Sequence, residues 1–454
     1  MSETRRTITF AAAAVALAIV ALLTSPRRVT PDAFLDRGEQ FFPDFSDPNA
    51  ATTLEVIEFD EETATGRPFK VTFKDGRWTI PSHHDYPADA RDRLARTAAG
   101  VIGITKDDFR TDNVADHEAC GVIDPLDEGV ATLKGRGKRV TIRGQNGQVL
   151  ADFIVGRELE DRPGFRFVRL PDQKRVYVAK MDIDISSRFE DWIDRDLLRV
   201  DRAAIDQVVL RDYSIDERTG LLDNRDTVVL TRRDGRWSAN RTSSGREVDE
   251  ARMSALLTAI DELSIVGVRP KPAGLTEGLR RVEDGLKVSQ SEIRSLRSKG
   301  FYFTRDGRLV SNEGELEVRT TDGVVYTMRF GEIVYGRGEA VTAGTGSDDD
   351  QTGAPGENRY LFITTRFDPD LFPEPRRPAN LDFQTRPEDE WTDADRRNKE
   401  LHDAHEEWRR KVDRGSSLSR DLNDRFARWY YVIDAGSFDA IHLRRGDLVK
   451  RKGA

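Results

Sequence analysis

Hydrophobic and polar residues alternate along two short stretches of the chain, at 69–74 and 227–233. Alternation with a period of two is typical of a half-buried β-strand. Both stretches run into the same four residues, and Asp-Gly is a favoured pair for a two-residue turn in which φ is positive. The motif consists of Asp75, Gly76, Arg77 and Trp78 in the first copy and of Asp234, Gly235, Arg236 and Trp237 in the second. We therefore predict two β-hairpins that share a structural repeat motif.

A helical pattern follows each predicted hairpin. Apolar residues fall on one face of a helix from Pro87 to Ile104 and again from Val248 to Leu263. Proline is favoured at the first position of a helix, where its missing N–H is not needed. Each tryptophan of the motif is expected to pack beneath the helix that follows it. The alternative interpretation makes Trp78 and Trp237 an aromatic platform for a ligand.

The two copies continue to match after the helix. Further hairpins are predicted at 138–156 and at 314–331, and additional strands close each copy. The predicted fold class is therefore α+β, with two tandem repeats of mainly antiparallel β-hairpins that are each packed with a helix. The predicted units are residues 50–200 for the first repeat and 201–454 for the second.

A charged insertion interrupts the second copy at about residues 373–425. It begins with several prolines, and Thr392 and Asp395 then have the spacing of a capping box. A narrow apolar stripe that includes Leu401 and Trp408 follows at helical spacing. We predict an inserted amphipathic helix, which either docks on its own domain or binds a partner.

The N-terminus departs from the polar character of the rest. Residues 7–24 carry no charge and are flanked by arginines, and 18 apolar residues are about the minimum for a bilayer core. The C-terminal end of this segment lacks the small residues of a signal-peptidase site, so an uncleaved anchor is preferred over a cleaved signal peptide. The sequence therefore predicts a transmembrane helix over 1–24 and a proline-containing tether over 25–49, before a body outside the cytoplasm.

Composition narrows the classes of protein that remain. Charged residues make up 34% of the 454 residues and hydrophobic ones 37%, which excludes a membrane protein with many spans. The net charge of -9 repels phosphate backbones, so no nucleic-acid partner is expected. Cys120 is the single cysteine, which rules out an internal disulfide and a cysteine-based zinc site.

Several candidate chemical motifs fail on spacing. Ser82, His83, His84 and Asp85 contain the residue types of a catalytic triad, but adjacent side chains of an extended segment point to opposite sides. Cys120 has a histidine nearby that could activate it, although a lone cysteine is more often simply buried. No catalytic residue is predicted from either cluster.

Metal sites are not predicted either. Asp348 to Gly353 resembles the start of a calcium-binding loop, but Arg359 occupies the place of the bidentate glutamate. His402 and His405 lie on one face of the predicted inserted helix, at a spacing that matches no zinc signature. We therefore predict no metal and no cofactor, and a protein that is not an enzyme.

Several of these features together resemble one family. The hairpin motif that begins at Asp75, the Pro87-Ala88-Asp89 helix start, the Arg175-Val176-Tyr177-Val178 strand and the N-terminal apolar segment resemble bacterial proteins grouped as domain of unknown function 4340 (DUF4340). The second copy departs from the pattern by having Glu247-Val248-Asp249 at its helix start. The resemblance implies an extracytoplasmic protein that accompanies ABC-type transport systems of the gliding-motility type, whose permease or auxiliary subunit would be its partner.

Three functional hypotheses follow from the sequence. The first is a non-enzymatic accessory protein, anchored in the inner (cytoplasmic) membrane by one helix, with a periplasmic C-terminal body that binds a transporter or another envelope partner. The second is a binding module for a cell-envelope polysaccharide or solute, held in a cleft between the two copies. The third is an enzyme that uses a metal bound by His402 and His405.

Overall fold

The structure is a computed structural model that describes residues 14, 15, 17, 36–62, 64–216, 219, 221–280, 288–336, 339–344 and 357–453. In chain order the strands are β1 (Thr53–Asp60), β2 (Thr65–Lys74), β3 (Arg77–Ile80), β4 (Tyr86–Pro87), β5 (Asp108–Thr111), β6 (Lys138–Arg143), β7 (Val149–Leu159), β8 (Arg162–Arg169), β9 (Val176–Lys180), β10 (Ile205–Asp216), β11 (Leu221–Arg233), β12 (Arg236–Ala239), β13 (Arg246–Val248), β14 (Gly267–Pro270), β15 (Phe301–Phe303), β16 (Leu309–Ser311), β17 (Glu315–Thr320), β18 (Val324–Val334), β19 (Asn358–Phe367), β20 (Trp429–Ile433) and β21 (Val449–Arg451). The α-helices are α1 (Arg91–Ile102), α2 (His117–Cys120), α3 (Glu250–Asp261), α4 (Ala273–Arg280), α5 (Gln290–Arg297), α6 (Glu339–Thr342), α7 (Asp393–Ala427), α8 (Ala435–Ile441) and α9 (Arg445–Leu448).

Two compact units divide the chain. The first unit consists of Met1–Pro68 with Leu94–Ile185, and the second of Phe69–Arg93 with Ser186–Ala454. Each unit contains an antiparallel sheet whose strands alternate buried and more exposed residues, as expected for sheets with one face toward a core.

In the first unit six strands lie side by side in the order β1-β6-β7-β8-β9-β5. Their inward side chains, among them Leu54, Val140 and Phe153, are fully buried. Residues 36–50, part of the predicted tether, pack on this unit, and the ring of Phe41 lies edge-on to Tyr177 with centroids 5.4 Å apart. The Tyr177 hydroxyl donates to the carboxylate of Asp36. This part of the chain is therefore held by the first unit.

In the second unit eight strands lie in the order β12-β11-β10-β17-β18-β19-β20-β14. The six strands from β10 to β14 of this sheet repeat the order of the six strands of the first unit. The hairpin of β2 and β3 also follows β1 along the chain as the hairpin of β11 and β12 follows β10. The same sequence of strands therefore occurs twice in the chain, as the shared motif indicates.

The two motif turns have the same backbone conformation. Asp75 and Gly76 have φ of 52° and 77°, and Asp234 and Gly235 have φ of 50° and 77°. Two consecutive residues with positive φ define the turn that matches the twist of a tight hairpin. Trp78 lies opposite Phe73 and Trp237 opposite Arg232 in the strand registers. Both predicted hairpins are confirmed.

The inserted helix α7 is 35 residues long and begins with the predicted capping box of Thr392 and Asp395. Its C-terminal half packs on β19, where Thr365 donates from its hydroxyl to the carbonyl of Ser419 at 2.8 Å. A Cβ at Gly415 would overlap the carbonyl oxygen of Asp322 and the ring of Phe367, so this position requires glycine for the close approach. The helix therefore docks on its own unit.

The predicted fold class is wrong. The sequence predicts an α+β fold of hairpin-and-helix repeats behind a transmembrane helix, whereas the structure is mostly antiparallel β-sheet with one long helix near the C-terminus. None of the helices described is both long and apolar enough to cross a membrane. Helix α7 has the length but carries charged residues along all of it, and most of the other helices have 12 residues or fewer.

The predicted localisation is wrong for the same reason. A single-pass protein of the inner membrane with a periplasmic body requires a membrane-spanning helix, and the described part of the chain provides none. The predicted transmembrane helix over 1–24 lies outside the described residues, apart from Ala14, Val15 and Leu17.

The glycine of the second hairpin turn provides a test of the turn geometry. Gly235→Ala should lower the free energy of unfolding by about 1 to 2 kcal/mol, because a side chain is strained at positive φ even where space is open. Gly446→Ala in α9 is the matched control, since that glycine also has open space and no positive φ. Urea unfolding of the three proteins measures the difference, and equal stability of Gly235→Ala and wild type would contradict the turn assignment.

Candidate functional site

The second unit contains an open cleft with a volume of about 660 Å³, which we call the Trp429 cleft. Its walls combine two aromatic rings with side chains of both charges. The lining residues are Tyr86, Pro87, Ala88, Asp89, Asp194, Arg199, Asp424, Arg425, Arg428 and Trp429.

Three separate segments bring these residues together. One is β4 with the residues that follow it, another is the loop at 194–199, and the third is the junction between the end of α7 and the start of β20. All five residues of β20 are buried, and at the end of α7 Phe426 and Ala427 are buried while Asp424 and Arg428 are exposed. This transition places Arg428 at the surface and Trp429 in the wall of the cleft, with 4% of its surface exposed.

Asp194 joins two arginines at one side of the cleft. Its carboxylate accepts hydrogen bonds from Arg199 at 2.9 Å and from Arg425 at 3.2 Å. Burial alone would raise the pKa of the Asp194 carboxyl, but the hydrogen bonds from the two arginines hold it below its ordinary value. Arg425 also donates to the carbonyl of Asp196 at 2.9 Å. This side of the cleft is therefore held in one arrangement by charge-assisted hydrogen bonds.

Other charges in the cleft are not neutralised in this way. The guanidinium of Arg428 lies 5.6 Å from the centre of the Trp429 ring. Neither Arg428 nor Asp89 forms an ion pair with another residue in the described ranges. The lining contains three arginines and three aspartates, so its formal charges balance. The cleft thus presents exposed charge of both signs without a net charge.

The cleft has two buried tyrosines beside it, Tyr86 in its wall and Tyr431 in β20. The ring of Tyr86 is edge-on to Trp429 with centroids 5.0 Å apart, and burial raises the pKa of Tyr86 to about 12. The hydroxyl of Tyr431 donates to the carbonyl of Arg425 at 3.3 Å. Phenols with such high pKa values stay protonated at neutral pH, so they act as hydrogen-bonding groups and not as bases.

A buried lysine holds the end of α7 that contributes to the cleft. The Lys271 ammonium donates to the carbonyl of Phe426 at 3.0 Å, and the Lys271 backbone N–H donates to the carbonyl of Arg428 at 2.7 Å. Lysine is a favourable partner for the free carbonyls at a helix C-terminus. Burial lowers the pKa of Lys271 well below its ordinary value. Lys271 therefore holds in place the segment of chain that carries Arg425 and Arg428.

The histidines that follow the first hairpin do not form a triad. Nδ1 of His83 lies 3.0 Å from Oγ of Ser82 and Nε2 lies 2.9 Å from Oγ1 of Thr342. The extended conformation predicted for this segment is wrong, because Pro81–His83 is a 3-10 turn. Adjacent side chains therefore need not point to opposite sides. His84 donates to the carbonyl of Ala343 at 2.7 Å. Both histidines thus bind the end of α6, and among the described residues no carboxylate is hydrogen-bonded to His83.

The other candidates also have structural partners. His405 pairs with Glu374 at 3.1 Å, whereas His402 lies 3.4 Å from the side chain of Gln384. No group of three or more metal-ligating side chains occurs within the described parts of the chain. Burial raises the pKa of the Cys120 thiol, so this cysteine is not activated. The calcium-like residues Asp348 to Gly353 lie outside the described residues.

The motif tryptophans are half-buried and take different surroundings. Trp78 packs on Phe73 with ring centroids 5.2 Å apart. Trp237 lines a cavity of about 280 Å³ together with Arg232 and with Ser254 and Leu257 of α3. Trp237 and the helix that follows it thus line the same cavity.

Sequence reasoning missed the Trp429 cleft itself. Trp429 belongs only to the predicted strands that close the second copy, and Asp424 and Arg425 are only the last residues of the predicted insertion at 373–425. One usable signal exists, since an arginine-rich helix end runs directly into the aromatic stretch Trp429-Tyr430-Tyr431. Nothing in the spacing of the chain connects that stretch with Tyr86 or Asp194.

The fold and the cleft define a β-rich protein with a cleft lined by charged and aromatic side chains. Residues 78–278 match the family described as Domain of unknown function (DUF4340). The resemblance seen in the sequence is therefore confirmed over this range. Comparison with curated proteins and with solved structures gave no match. The matched range includes Tyr86, Asp194 and Arg199, whereas the helix end and Trp429 lie beyond it.

His83 predicts a specific dependence of stability on pH. Burial lowers the pKa of His83 from 6.5 to about 4 in the folded protein, so the unfolded chain takes up a proton first as the pH falls. Stability is therefore lost from pH 6.5 down to about 4, and this one group accounts for about 3 kcal/mol at most. Urea unfolding at several pH values should show a shallower loss for His83→Gln than for wild type.

The control for this prediction is Gly446→Ala, which has open space around it and replaces no titratable group. It should leave the slope of unfolding free energy against pH unchanged. An identical slope in His83→Gln and wild type would show that His83 does not remain neutral in the folded protein.

Proposed function

We propose that this protein is a non-enzymatic accessory protein that binds a partner protein in the Trp429 cleft. The observation that carries the proposal is the pairing of a buried aromatic wall with unneutralised charges of both signs, on Arg428 and Asp89. Tryptophan, tyrosine and arginine are the residues that contribute most to binding energy at protein interfaces.

The charge balance of the cleft favours a protein segment as its ligand. Three arginines and three aspartates produce no strong net field, so a simple anion or cation gains little long-range attraction. A partner that presents both an acidic and a basic side chain gains from both, and a ligand with one charge meets repulsion as well as attraction.

The arrangement at Asp194 supports binding without large rearrangement. Arg199 and Arg425 are already held by the carboxylate of Asp194, and the wall behind them is a buried strand. Side chains that are ordered before binding lose less conformational entropy when the partner arrives. Arg428 and Asp89 remain available for ion pairs across the interface.

The identity of the partner is proposed from the family resemblance. DUF4340 proteins of the kind that the sequence resembles are expected beside ABC-type transport systems of the gliding-motility type. We therefore propose the permease of such a system, or its auxiliary subunit, as the protein that contributes a segment to the cleft.

A second candidate function is the binding of a cell-envelope polysaccharide or solute. It is favoured by the two aromatic rings of Tyr86 and Trp429 in the wall, beside carboxylates that can accept hydrogen bonds from hydroxyl groups. Trp429 has only 4% of its surface exposed and therefore offers an edge to a ligand and not a full ring face. This observation makes the protein partner the leading proposal.

Charge reversal in the cleft tests the proposed function. Tagged full-length protein is recovered in mild detergent from its native cells, and the co-purified proteins are quantified by mass spectrometry. Arg428→Glu and Asp89→Lys should each reduce recovery of the transport subunit by about tenfold or more, because each places like charges against each other in a desolvated contact.

The matched control is Arg410→Glu, which reverses an exposed arginine of the same helix outside the cleft. Recovery of the subunit by this control should equal that of wild type. Equal recovery by all four proteins would contradict a role of the cleft in partner binding. Polysaccharide binding that is lost in the cleft variants, with no subunit recovered by wild type, would favour the second candidate.

A further inference from the structure

A smaller pocket of the second unit lies beside Trp237, and we call it the Trp237 pocket. Its volume is about 280 Å³, and it shares no lining residue with the Trp429 cleft. Strands β11 and β12, the 3-10 turn Arg202–Ala204 and helix α3 each contribute to its walls. The lining residues are Arg202, Ala203, Arg232, Trp237, Glu250, Ser254 and Leu257.

Two arginines of this pocket are held in place by uncharged oxygen atoms. Nη2 of Arg232 donates to the carbonyl of Ala203 at 2.6 Å, and Nη1 of Arg202 donates to the hydroxyl of Thr258 at 3.1 Å. Neither arginine forms an ion pair with a carboxylate in the part of the chain that the structure describes. A guanidinium group has five N–H donors, so each arginine keeps donors that can bind a ligand in the pocket.

The pocket also has an apolar side. Trp237 and Leu257 are half-buried, so part of each side chain remains accessible. The guanidinium carbon of Arg232 lies 5.9 Å from the centre of the Trp237 ring. At this distance the charge is attracted to the face of the indole ring, which brings a positive group and an aromatic surface together. A ligand in the pocket therefore meets both kinds of surface at once.

The first copy of the repeat has uncharged residues at the positions of both arginines. Arg232 lies opposite the motif tryptophan in the strand register, where the first hairpin has Phe73. Arg202 begins a 3-10 turn that is capped by an aspartate, and Pro48 begins the corresponding turn before β1. The same hairpin and the same turn thus form in the first copy without either arginine. Folding of the repeat therefore does not explain why the second copy has them.

We propose that the Trp237 pocket binds a small organic acid in which one carboxylate is joined to an apolar or aromatic group. The carboxylate accepts hydrogen bonds from Arg202 and Arg232, and the apolar group packs on Trp237 and Leu257. Guanidinium groups bind carboxylates strongly because their planar array of donors matches the two carboxylate oxygens.

The charge and the size of the pocket favour a small ligand with a single negative charge. Two arginines and Glu250 leave the lining with one net positive charge, which a single carboxylate balances. A phosphate group carries more than one negative charge at neutral pH and is repelled more strongly by Glu250. The volume of about 280 Å³ lies just below the range of about 300 to 1,000 Å³ that is usual for ligand pockets.

The test uses phenylacetate as the probe, in a ligand-observed NMR titration of the full-length protein at neutral pH and constant ionic strength. Wild type should bind phenylacetate saturably, with a dissociation constant on the order of 1 mM, as expected for a ligand of so few atoms. Acetate lacks the aromatic group and phenethyl alcohol lacks the charge. Each should bind about tenfold more weakly or worse, because each engages only one side of the pocket.

Arg232→Phe is the decisive variant, because it creates the cross-strand pair that the first hairpin already contains and so preserves the fold. It should weaken phenylacetate binding by about tenfold or more, since one of the two guanidinium groups is lost. Glu250→Gln should instead strengthen binding by about two- to threefold, because it removes the negative charge of the lining.

Arg233→Phe is the matched control, because it makes the same substitution at the exposed neighbouring residue of β11, outside the pocket. It should bind phenylacetate as wild type does. The proposal is overturned if wild type shows no saturable binding, if Arg232→Phe binds as tightly as wild type, or if Glu250→Gln weakens binding.

Discussion

The Lys271 ammonium donates to the carbonyl of Phe426 in the last turn of α7, and its backbone N–H donates to the carbonyl of Arg428 immediately after the helix. These two bonds end a 35-residue charged helix at the point where the chain enters the buried strand β20. The end of the helix supplies Arg425 and Arg428 to the Trp429 cleft. The positions of these charges therefore depend on a buried cation, whose desolvation is offset in part by the helix dipole and by the ring of Phe362 at 3.8 Å.

Buried charge is arranged differently on the two sides of this junction. In the cleft Asp194 joins Arg199 and Arg425, so these three charges are held in one arrangement. Beside Tyr430, in contrast, Lys271, Lys299 and Arg269 have only uncharged acceptors among the described residues. Paired charges fix geometry at little electrostatic cost, whereas each buried cation without an anionic partner costs desolvation that uncharged acceptors and aromatic rings offset only in part.

Features that depend on residues close together in the sequence were predictable, whereas features that depend on distant residues were not. The hairpin turns were predictable because Asp-Gly determines a local backbone conformation, and both turns have it. The capping box of α7 was predictable because Thr392 and Asp395 are three residues apart. The fold class was wrong because local patterns do not show how many strands join one sheet. The predicted conformation of Ser82 and His83 was also wrong, because the sequence there does not distinguish a 3-10 turn from an extended segment.

The sequence by itself determined the repeated hairpin motif, the start of the inserted helix and the resemblance that the match over residues 78–278 supports. Only the tertiary structure decided that Tyr86, Asp194 and Trp429 line one cleft and that Lys271 lies beneath a helix end more than a hundred residues later. The physical reason is that turns and caps depend on neighbouring residues, which the sequence shows directly. A binding site depends instead on which distant side chains the packing of sheets and helices brings together.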